Sequence, residues 1–294
     1  MTSKIVALAM LCLSVNILAA QSVKEKITKT YQFEKKSSAN AVLIYNINGN
    51  VEVEGTTGDQ IIVEVEKTIT AKTQARLDEG KEDIQLGLVD AADSLIFYIK
   101  GTGAEFSKTP SRRNKSEGWG YRWNEHNGQW DLNYEYTMNF KIKVPMNTHV
   151  MASTVNDGDV VVTNTRGDVI ARNINGHIRL KQITGKTNAN TINGNVDIDY
   201  LKNPGGDSRY YTLNGDIHVN FPTSLSATMS FKSFNGDLYT NIEPLESLPA
   251  IVNKSETQKG IRFKVESDRF KIRAGGPLLD VETFNGDAFI KEIK

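Results

Sequence analysis

Apolar and polar residues alternate along much of the chain. In the segment Ile47 to Val53 every second residue is apolar or Gly, and the others are polar. Strict alternation predicts half-buried strands whose apolar residues face a common core. The same parity, and hence the same inward orientation, is expected at Ile174/Ile178/Leu180, Ile192/Val196/Ile198 and Leu213/Ile217/Val219.

These strands recur at a fixed interval. Gly158, Gly167, Gly176, Gly185 and Gly194 follow one another in steps of nine residues, and the same phrase returns at Gly49, Gly215, Gly236 and Gly286. Such repetition predicts an all-β fold, a parallel β-solenoid (β-helix-like) with rungs of 18–21 residues and two strands per rung. Its rungs would stack at about 4.8 Å. One inward column should contain Val160, Ile178, Val196, Ile217 and Leu238, and a weaker one Val169 and Thr187. Asn-Gly also favours hairpins, so a twisted antiparallel sheet is the alternative.

Four regions follow from this pattern. Residues 1–20 are expected to be a signal peptide, and residues 21–65 the N-terminal strands and first rung. Residues 66–149 form a small mixed insertion or cap, and residues 150–294 form the main solenoid. The insertion should contain a helix near Lys72–Gly80, strands near Ile84–Val89, Leu95–Lys100 and Asp131–Val144, and a polar loop at Gly101–Gln129. Pro244–Gly275 is a second irregular stretch.

The predicted signal peptide has Lys4 before an apolar run and small residues at Ala19 and Ala20. It is short for a membrane span and charged residues follow it closely, so cleavage and export to the periplasm or cell surface are expected. Removal would also take away Cys12, the one cysteine. It would leave a net charge of −1, which favours neither a nucleic-acid partner nor stable membrane association.

Two positions of the repeat carry polar side chains with possible chemistry. The Asn before each Gly should form a ladder of stacked amides, which would include Asn48, Asn175, Asn193, Asn214, Asn235 and Asn285. The residue after each Gly is often acidic, as at Asp159, Asp168, Asp216, Asp237 and Asp287. Stacked carboxylates could hold calcium, but capping of backbone N–H groups explains the pattern without a cation. No metal site or cofactor is expected.

The candidate ligand-binding site is aromatic. Trp119, Trp123 and Trp130 are the three tryptophans of the chain, and Tyr121 and Arg122 lie among them. Flat rings stack on sugars, and Trp, Tyr and Arg dominate protein-binding hot spots. The alternative is that these rings pack the insertion against the end of the solenoid.

The recurrent phrase [ST]-x-N-G-[DN]-apolar resembles a bacterial family of unknown function whose members are labelled putative adhesins. It occurs at Thr191–Val196, Thr212–Ile217 and Ser233–Leu238, and a strand ending at Val144-Pro145 precedes the long repeat block. The resemblance covers most of residues 40–294. It implies an exported β-solenoid with an adhesive or envelope role, and it transfers no catalytic residue.

We therefore expect an exported, non-enzymatic protein that binds an envelope or host-surface protein or polysaccharide. The sequence has no nucleophile elbow and no phosphate-binding loop. Two alternatives stay open. One is a glycan-binding module that uses the aromatic loop at 119–136. The other is a polysaccharide-cleaving β-helix enzyme with an acidic pair that only the fold would bring together.

Overall fold

A computed structural model describes residues 20–110, 117–122, 132–257, 260–266 and 268–293. Within these ranges the chain forms 25 strands and one helix, so the all-β prediction is confirmed. No helix among the described residues is long and apolar enough to cross a membrane. Of the expected signal peptide, residues 1–19 lie outside the described residues.

The elements follow one another in this order. The first part contains β1 (Gln21–Tyr31), β2 (Ala41–Tyr45), β3 (Val51–Thr56), β4 (Ile61–Ala71), α1 (Gln74–Asp83), β5 (Gln85–Ala91), β6 (Ser94–Lys100), β7 (Glu105–Pro110), β8 (Glu117–Arg122) and β9 (Tyr134–Pro145). The repeats form β10 (His149–Ser153), β11 (Val160–Thr163), β12 (Val169–Arg172), β13 (Ile178–Ile183), β14 (Thr187–Asn193), β15 (Val196–Tyr200), β16 (Ser208–Asn214), β17 (Ile217–Pro222), β18 (Ala227–Lys232) and β19 (Leu238–Thr240). The last part contains β20 (Leu245–Ser247), β21 (Ile251–Thr257), β22 (Gly260–Glu266), β23 (Arg269–Ile272), β24 (Leu278–Asn285) and β25 (Ala288–Ile293).

Two large sheets contain most of these strands. The first has the order β1-β4-β9-β3-β11-β13-β15-β17-β25-β19, and the second β20-β23-β18-β24-β16-β14-β12-β10-β2-β6-β5. From β10 to β17, successive strands alternate between the sheets and pair in parallel within each sheet. We call two consecutive strands, one in each sheet, a rung. Antiparallel strands extend both sheets at their ends, so the sheets are mixed.

The inward column of the first sheet has the predicted register. Val160 pairs with Ile178, Ile178 with Val196, and Val196 with Ile217, and all four side chains are buried. Burial of each such side chain stabilises the fold by about 1.5–3 kcal/mol. Val169 pairs with Thr187 in the second sheet, also as expected.

The top of that column differs from the prediction. Ile217 pairs with Ala288 and not with Leu238. Leu238 pairs with Ala288 from the opposite side, one strand further along the sheet. The C-terminal rung, formed by β24 and β25, lies between the rung of β16 and β17 and that of β18 and β19. Residues between β19 and β24 include the antiparallel strands β20 and β23, so the chain returns to an earlier level of the stack.

The inward orientation predicted for Ile174 and Ile192 is wrong, because both side chains are more than a third exposed. Ile192 belongs to β14, whose buried residues are Thr187, Ala189 and Thr191. The chain turns at Asn-Gly from the second sheet to the first, and the inward parity changes there. The residue before the Asn therefore lies outside the corner between the sheets at Ile174 and Ile192, whereas Ile47, which precedes Asn48, is buried.

The insertion continues the two sheets. Helix α1 begins later than expected, after Thr73, whose hydroxyl accepts a hydrogen bond from the Arg76 N–H. The expected strands correspond to β5, β6 and β9. The predicted loop at 101–129 is wrong in part, because β7 and β8 form an antiparallel hairpin there.

Candidate binding surface

Three of the five predicted ligand-binding residues lie on β8, and Trp123 and Trp130 lie outside the described residues. The Trp119 ring stacks on Phe106, with centroids 5.6 Å apart, and Phe106 stacks on Tyr98 at 4.2 Å. The β7–β8 hairpin thus packs its rings on Tyr98 of β6. Trp119 is half-buried and the side chain of Arg122 is exposed.

Tyr121 anchors this hairpin. Its hydroxyl oxygen accepts a hydrogen bond from the Ile99 N–H at 2.7 Å and lies 3.1 Å from the carbonyl oxygen of Tyr45. Burial raises the pKa of the Tyr121 hydroxyl well above its ordinary value. The ring also meets Phe106 edge to face. We call Tyr45, Tyr98, Phe106, Trp119 and Tyr121 the hairpin cluster. Its ring-to-ring contacts pack the hairpin against β2 and β6.

The predicted amide ladder is confirmed and is longer than expected. In each step one Asn side chain donates to the side-chain oxygen of the Asn on the adjacent rung, at 2.8–3.3 Å. The order is Asn48, Asn156, Asn175, Asn193, Asn214, Asn285 and Asn235. Asn156 was missed because Asp157, not Gly, follows it.

A second ladder involves the residue after Gly at the corners that carry the Asn ladder. The side chain of each member but the last accepts a hydrogen bond from the backbone N–H of the equivalent residue on the next rung, at 2.8–3.1 Å. In order, the members are Asn139 (which follows Met138), Asn50, Asp159, His177, Asn195, Asp216, Asp287 and Asp237. These contacts support the capping interpretation over the calcium hypothesis at Asp159, Asp216 and Asp287, whereas the Asp168 carboxylate lies 3.4 Å from Lys186 Nζ. Among the described residues no group of three or more His, Cys, Asp or Glu could hold a metal ion.

Gly in the phrase is required by the stacking distance. A Cβ atom built on Gly215 would lie 2.2 Å from the carbonyl oxygen of Gly194, and one on Gly286 would lie 2.0 Å from that of Gly215. Any side chain there would collide with the rung below. Threonine hydroxyls complete the corner, since Thr191 and Thr212 donate to the carbonyl oxygens of Gly176 and Gly194 at 2.9 and 2.8 Å.

Outside the ladders lies a line of apolar side chains, one from each of six rungs. We call it the corner ridge; it consists of Val155, Ile174, Ile192, Leu213, Phe284 and Phe234, the residues that precede six of the seven ladder asparagines. Ile47, which precedes the seventh, Asn48, is buried. Exposure reaches 39% at Ile174, 44% at Phe284 and 72% at Phe234. The sequence signal was present, because every member occupies the same position of the phrase, but alternation assigned that position to the core.

Flat rings accumulate at the C-terminal end of the stack. Phe234 stacks on Phe284 with centroids 4.7 Å apart. On the outer face of the first sheet, Phe289 stacks on His218 at 4.8 Å and on Tyr239 at 5.1 Å. We call these five residues the terminal rings. Tyr239 is 46% exposed, so both stacks end in a ring that faces solvent.

A charged groove on the outer face of the first sheet holds an acidic pair, Glu52 and Glu64. Lys26 lies 2.7 Å from Glu64, and Lys141 lies 3.7 Å from Glu52. The hydrogen bond from Lys26 lowers the pKa of Glu64. Glycoside cleavage requires an acid with a raised pKa, a role that Glu64 does not fit.

The comparisons with known proteins yield only distant structural likenesses. No family model and no curated protein matches the chain. A putative cell adhesion protein from Clostridium sporogenes ATCC 15579 is similar over 92% of this chain and 100% of its own, with 12% identity and a TM-score of 0.39. A putative adhesin from Bacteroides fragilis NCTC 9343 has 13% identity and a TM-score of 0.32, with 92% and 97% covered. A putative lipid binding protein from Parabacteroides distasonis ATCC 8503 has 10% identity and a TM-score of 0.25 over the same shares of the two chains.

Proposed function

We propose that this chain is an exported, non-enzymatic β-solenoid that serves in adhesion or as a scaffold of the cell envelope. The solenoid form is supported by the parallel registers, which place equivalent residues of successive rungs side by side. The binding surface is the corner ridge, and its partner is an envelope or host-surface protein.

The single observation that carries this proposal is the exposure of the corner ridge. Large apolar residues at this corner are 38–72% exposed on four rungs, Ile174, Ile192, Phe284 and Phe234. Contiguous exposed apolar surface marks interaction sites in soluble proteins. The amides of the Asn ladder lie beside it and give the surface a polar margin, an arrangement typical of protein interfaces.

Binding of the labelled mature chain to isolated cell envelopes tests this proposal. We expect saturable binding, and we expect the double variant Ile174→Ser/Ile192→Ser to lower the affinity at least about tenfold. Both side chains are already partly exposed, so thermal unfolding should change little.

Leu201→Ser is the matched control, because Leu201 is 59% exposed and lies outside the corner ridge. It should bind as the unchanged chain does. Equal binding by the ridge variant and the control would refute the ridge as the binding surface.

A second candidate function is glycan binding by the hairpin cluster. The observation in its favour is that, among the described residues, Trp119 is the outermost ring of the stack on Tyr98 and has the exposed Arg122 nearby on the same strand. Titration with envelope and host polysaccharides, followed by tryptophan fluorescence, tests it. A saturable shift that Trp119→Ala removes and Trp123→Ala retains would assign a sugar site to Trp119. A flat response across the panel would end the glycan interpretation.

A further inference from the structure

The first sheet ends in an open strand. Among the described residues β19 pairs with β25 on one side and with no strand on the other. Its pairing is parallel, and the N–H of Ala288 donates to the carbonyl oxygen of Asp237 at 2.9 Å. In such a ladder alternate residues point their backbone groups to opposite sides, so those of Leu238 and Thr240 point away from β25.

Both polar ladders also end at this strand. Asn235 donates its amide to Asn285 at 2.9 Å, and the N–H of Asp237 donates to the Asp287 carboxylate at 2.9 Å. In the interior of the stack each equivalent residue also accepts a hydrogen bond from the next rung. At the end of the stack, the side-chain oxygens of Asn235 and Asp237 offer the same acceptors to whatever binds there.

The end of the stack also selects for glycine. A Cβ atom on Gly236 would lie 1.9 Å from the carbonyl oxygen of Gly286, as at the interior rungs. A residue placed on Gly236 in the same geometry would meet the carbonyl oxygen of Gly236 in turn, so only Gly fits. A hydroxyl at the position of Thr212 would donate to that oxygen, as Thr212 does to Gly194.

Two apolar surfaces flank these polar groups. Phe234 is 72% exposed and stacks on Phe284, and among the described residues Tyr239 ends the stack on Phe289. An apolar side chain before the Asn of an incoming segment would cover Phe234. The acceptors, the space for glycine and the exposed rings therefore specify one sequence phrase, [Ser/Thr]-apolar-Asn-Gly-[Asp/Asn]-apolar.

We propose that β19 binds an extended segment of a partner protein that carries this phrase and adds to the first sheet as a further parallel strand. Strand addition supplies affinity through backbone hydrogen bonds, and side-chain contacts supply specificity. Because β19 has three residues, backbone pairing alone is weak, and the ladder ends decide which segments bind. This surface shares Phe234 with the corner ridge but does not include Ile174 or Ile192, the two residues changed in the test of the proposed function.

A synthetic peptide with the sequence of residues 210–220 is the probe, since it carries the phrase around Gly215. Fluorescence anisotropy of the labelled peptide measures its binding to the mature chain. We expect saturable binding, and a loss of at least about tenfold when the peptide carries Gly215→Ala. The protein variant Thr240→Pro should cause a similar loss, because it removes an outward N–H at an exposed edge where proline is tolerated.

Thr240→Ser is the control, since it keeps both the backbone N–H and the hydroxyl that accepts from the Ile242 N–H at 3.1 Å. Circular dichroism shows whether each variant is folded. Equal binding of the Gly215→Ala peptide, or unchanged binding to a folded Thr240→Pro variant, overturns the proposal. A dimer detected by sedimentation would also overturn it, if Thr240→Pro dissociates that dimer and the peptide does not. A second copy of this chain would then occupy β19 in place of a partner protein.

Discussion

Aromatic residues gather in two regions of this molecule, and the two groups differ in how their surfaces are used. In the hairpin cluster, Phe106 contacts Tyr45, Tyr98, Trp119 and Tyr121, with centroids 4.2–5.6 Å apart. Among the terminal rings, Phe234 and Tyr239 each have one stacking partner in the described part of the chain, and Phe234 is 72% exposed. One region uses its rings for packing; the other leaves ring faces open.

The difference shows that aromatic density along a sequence does not by itself predict which ring faces stay open. The hairpin cluster includes a dense run around Trp119, but tertiary contacts occupy its rings. The terminal rings are far apart in sequence, from His218 to Phe289, and parallel register brings them together. Open ring faces, not the number of rings, distinguish a surface that can bind from one that stabilises.

The largest expected contrast comes from removal of one ring in each region. Phe106→Ala should lower the free energy of unfolding by about 2–3 kcal/mol, because it empties the centre of the hairpin cluster. Phe234→Ala should change it by less than about 0.5 kcal/mol, since most of that side chain already faces solvent. Chemical denaturation of both variants measures the two values.

A similar loss in both variants would contradict the comparison, because Phe234 would then stabilise the fold as Phe106 does. Phe106→Leu is the control for ring loss with much of the apolar volume retained. Its effect should lie between those of the unchanged chain and Phe106→Ala.

Removal of one hydroxyl in each region gives a smaller contrast. Tyr121→Phe removes the acceptor for the Ile99 N–H, and a buried backbone donor left unpaired costs about 1–3 kcal/mol. Tyr239→Phe, at an exposed ring, should leave the stability unchanged within about 0.5 kcal/mol. Thermal unfolding of the pair checks this, and equal shifts in Tm would show that the hydroxyl of Tyr121 contributes nothing specific.

Much of the fold was predictable because the repeat encodes register. A constant spacing placed Ile178 beside Val196 and gave the amide ladder its members, including Asn193 and Asn214. The position of the C-terminal rung was not predictable. Ala288 has the same phrase as its neighbours, so nothing in the sequence near it says that β25 lies between β17 and β19.

The candidate site was predicted less well, for a local reason. Alternation holds within a strand, but the chain changes sheets at each Asn-Gly corner, so Ile192 and Val196 have opposite orientations although they are four residues apart. For Trp119 the ligand-binding assignment stays a prediction. The sequence could not show its neighbour Phe106, which only the β7–β8 pairing reveals.

An ion pair also holds the C-terminal end, and its removal gives the smallest of the expected contrasts. Arg273 donates two hydrogen bonds to the Glu292 carboxylate, at 2.7 and 2.9 Å. The same carboxylate accepts from the Leu225 N–H at 2.8 Å. The hydrogen bonds from Arg273, and then that of Leu225, lower the pKa of Glu292 despite its burial.

A carboxyl whose pKa is lower in the folded chain stabilises it above the unfolded pKa of about 4.3, and the contribution is lost as the pH falls through the folded value. Glu292→Gln should therefore cost under about 1 kcal/mol at neutral pH, and its difference from the unchanged chain should close in acid. Hydrogen exchange in β25 at pH 7 and pH 3 measures the effect where it arises, with β6 beneath the hairpin cluster as the internal reference. Loss of protection in β6 at pH 3, with β25 still protected, would contradict this prediction. The contact that depends on charge would then lie near the hairpin cluster and not at β25.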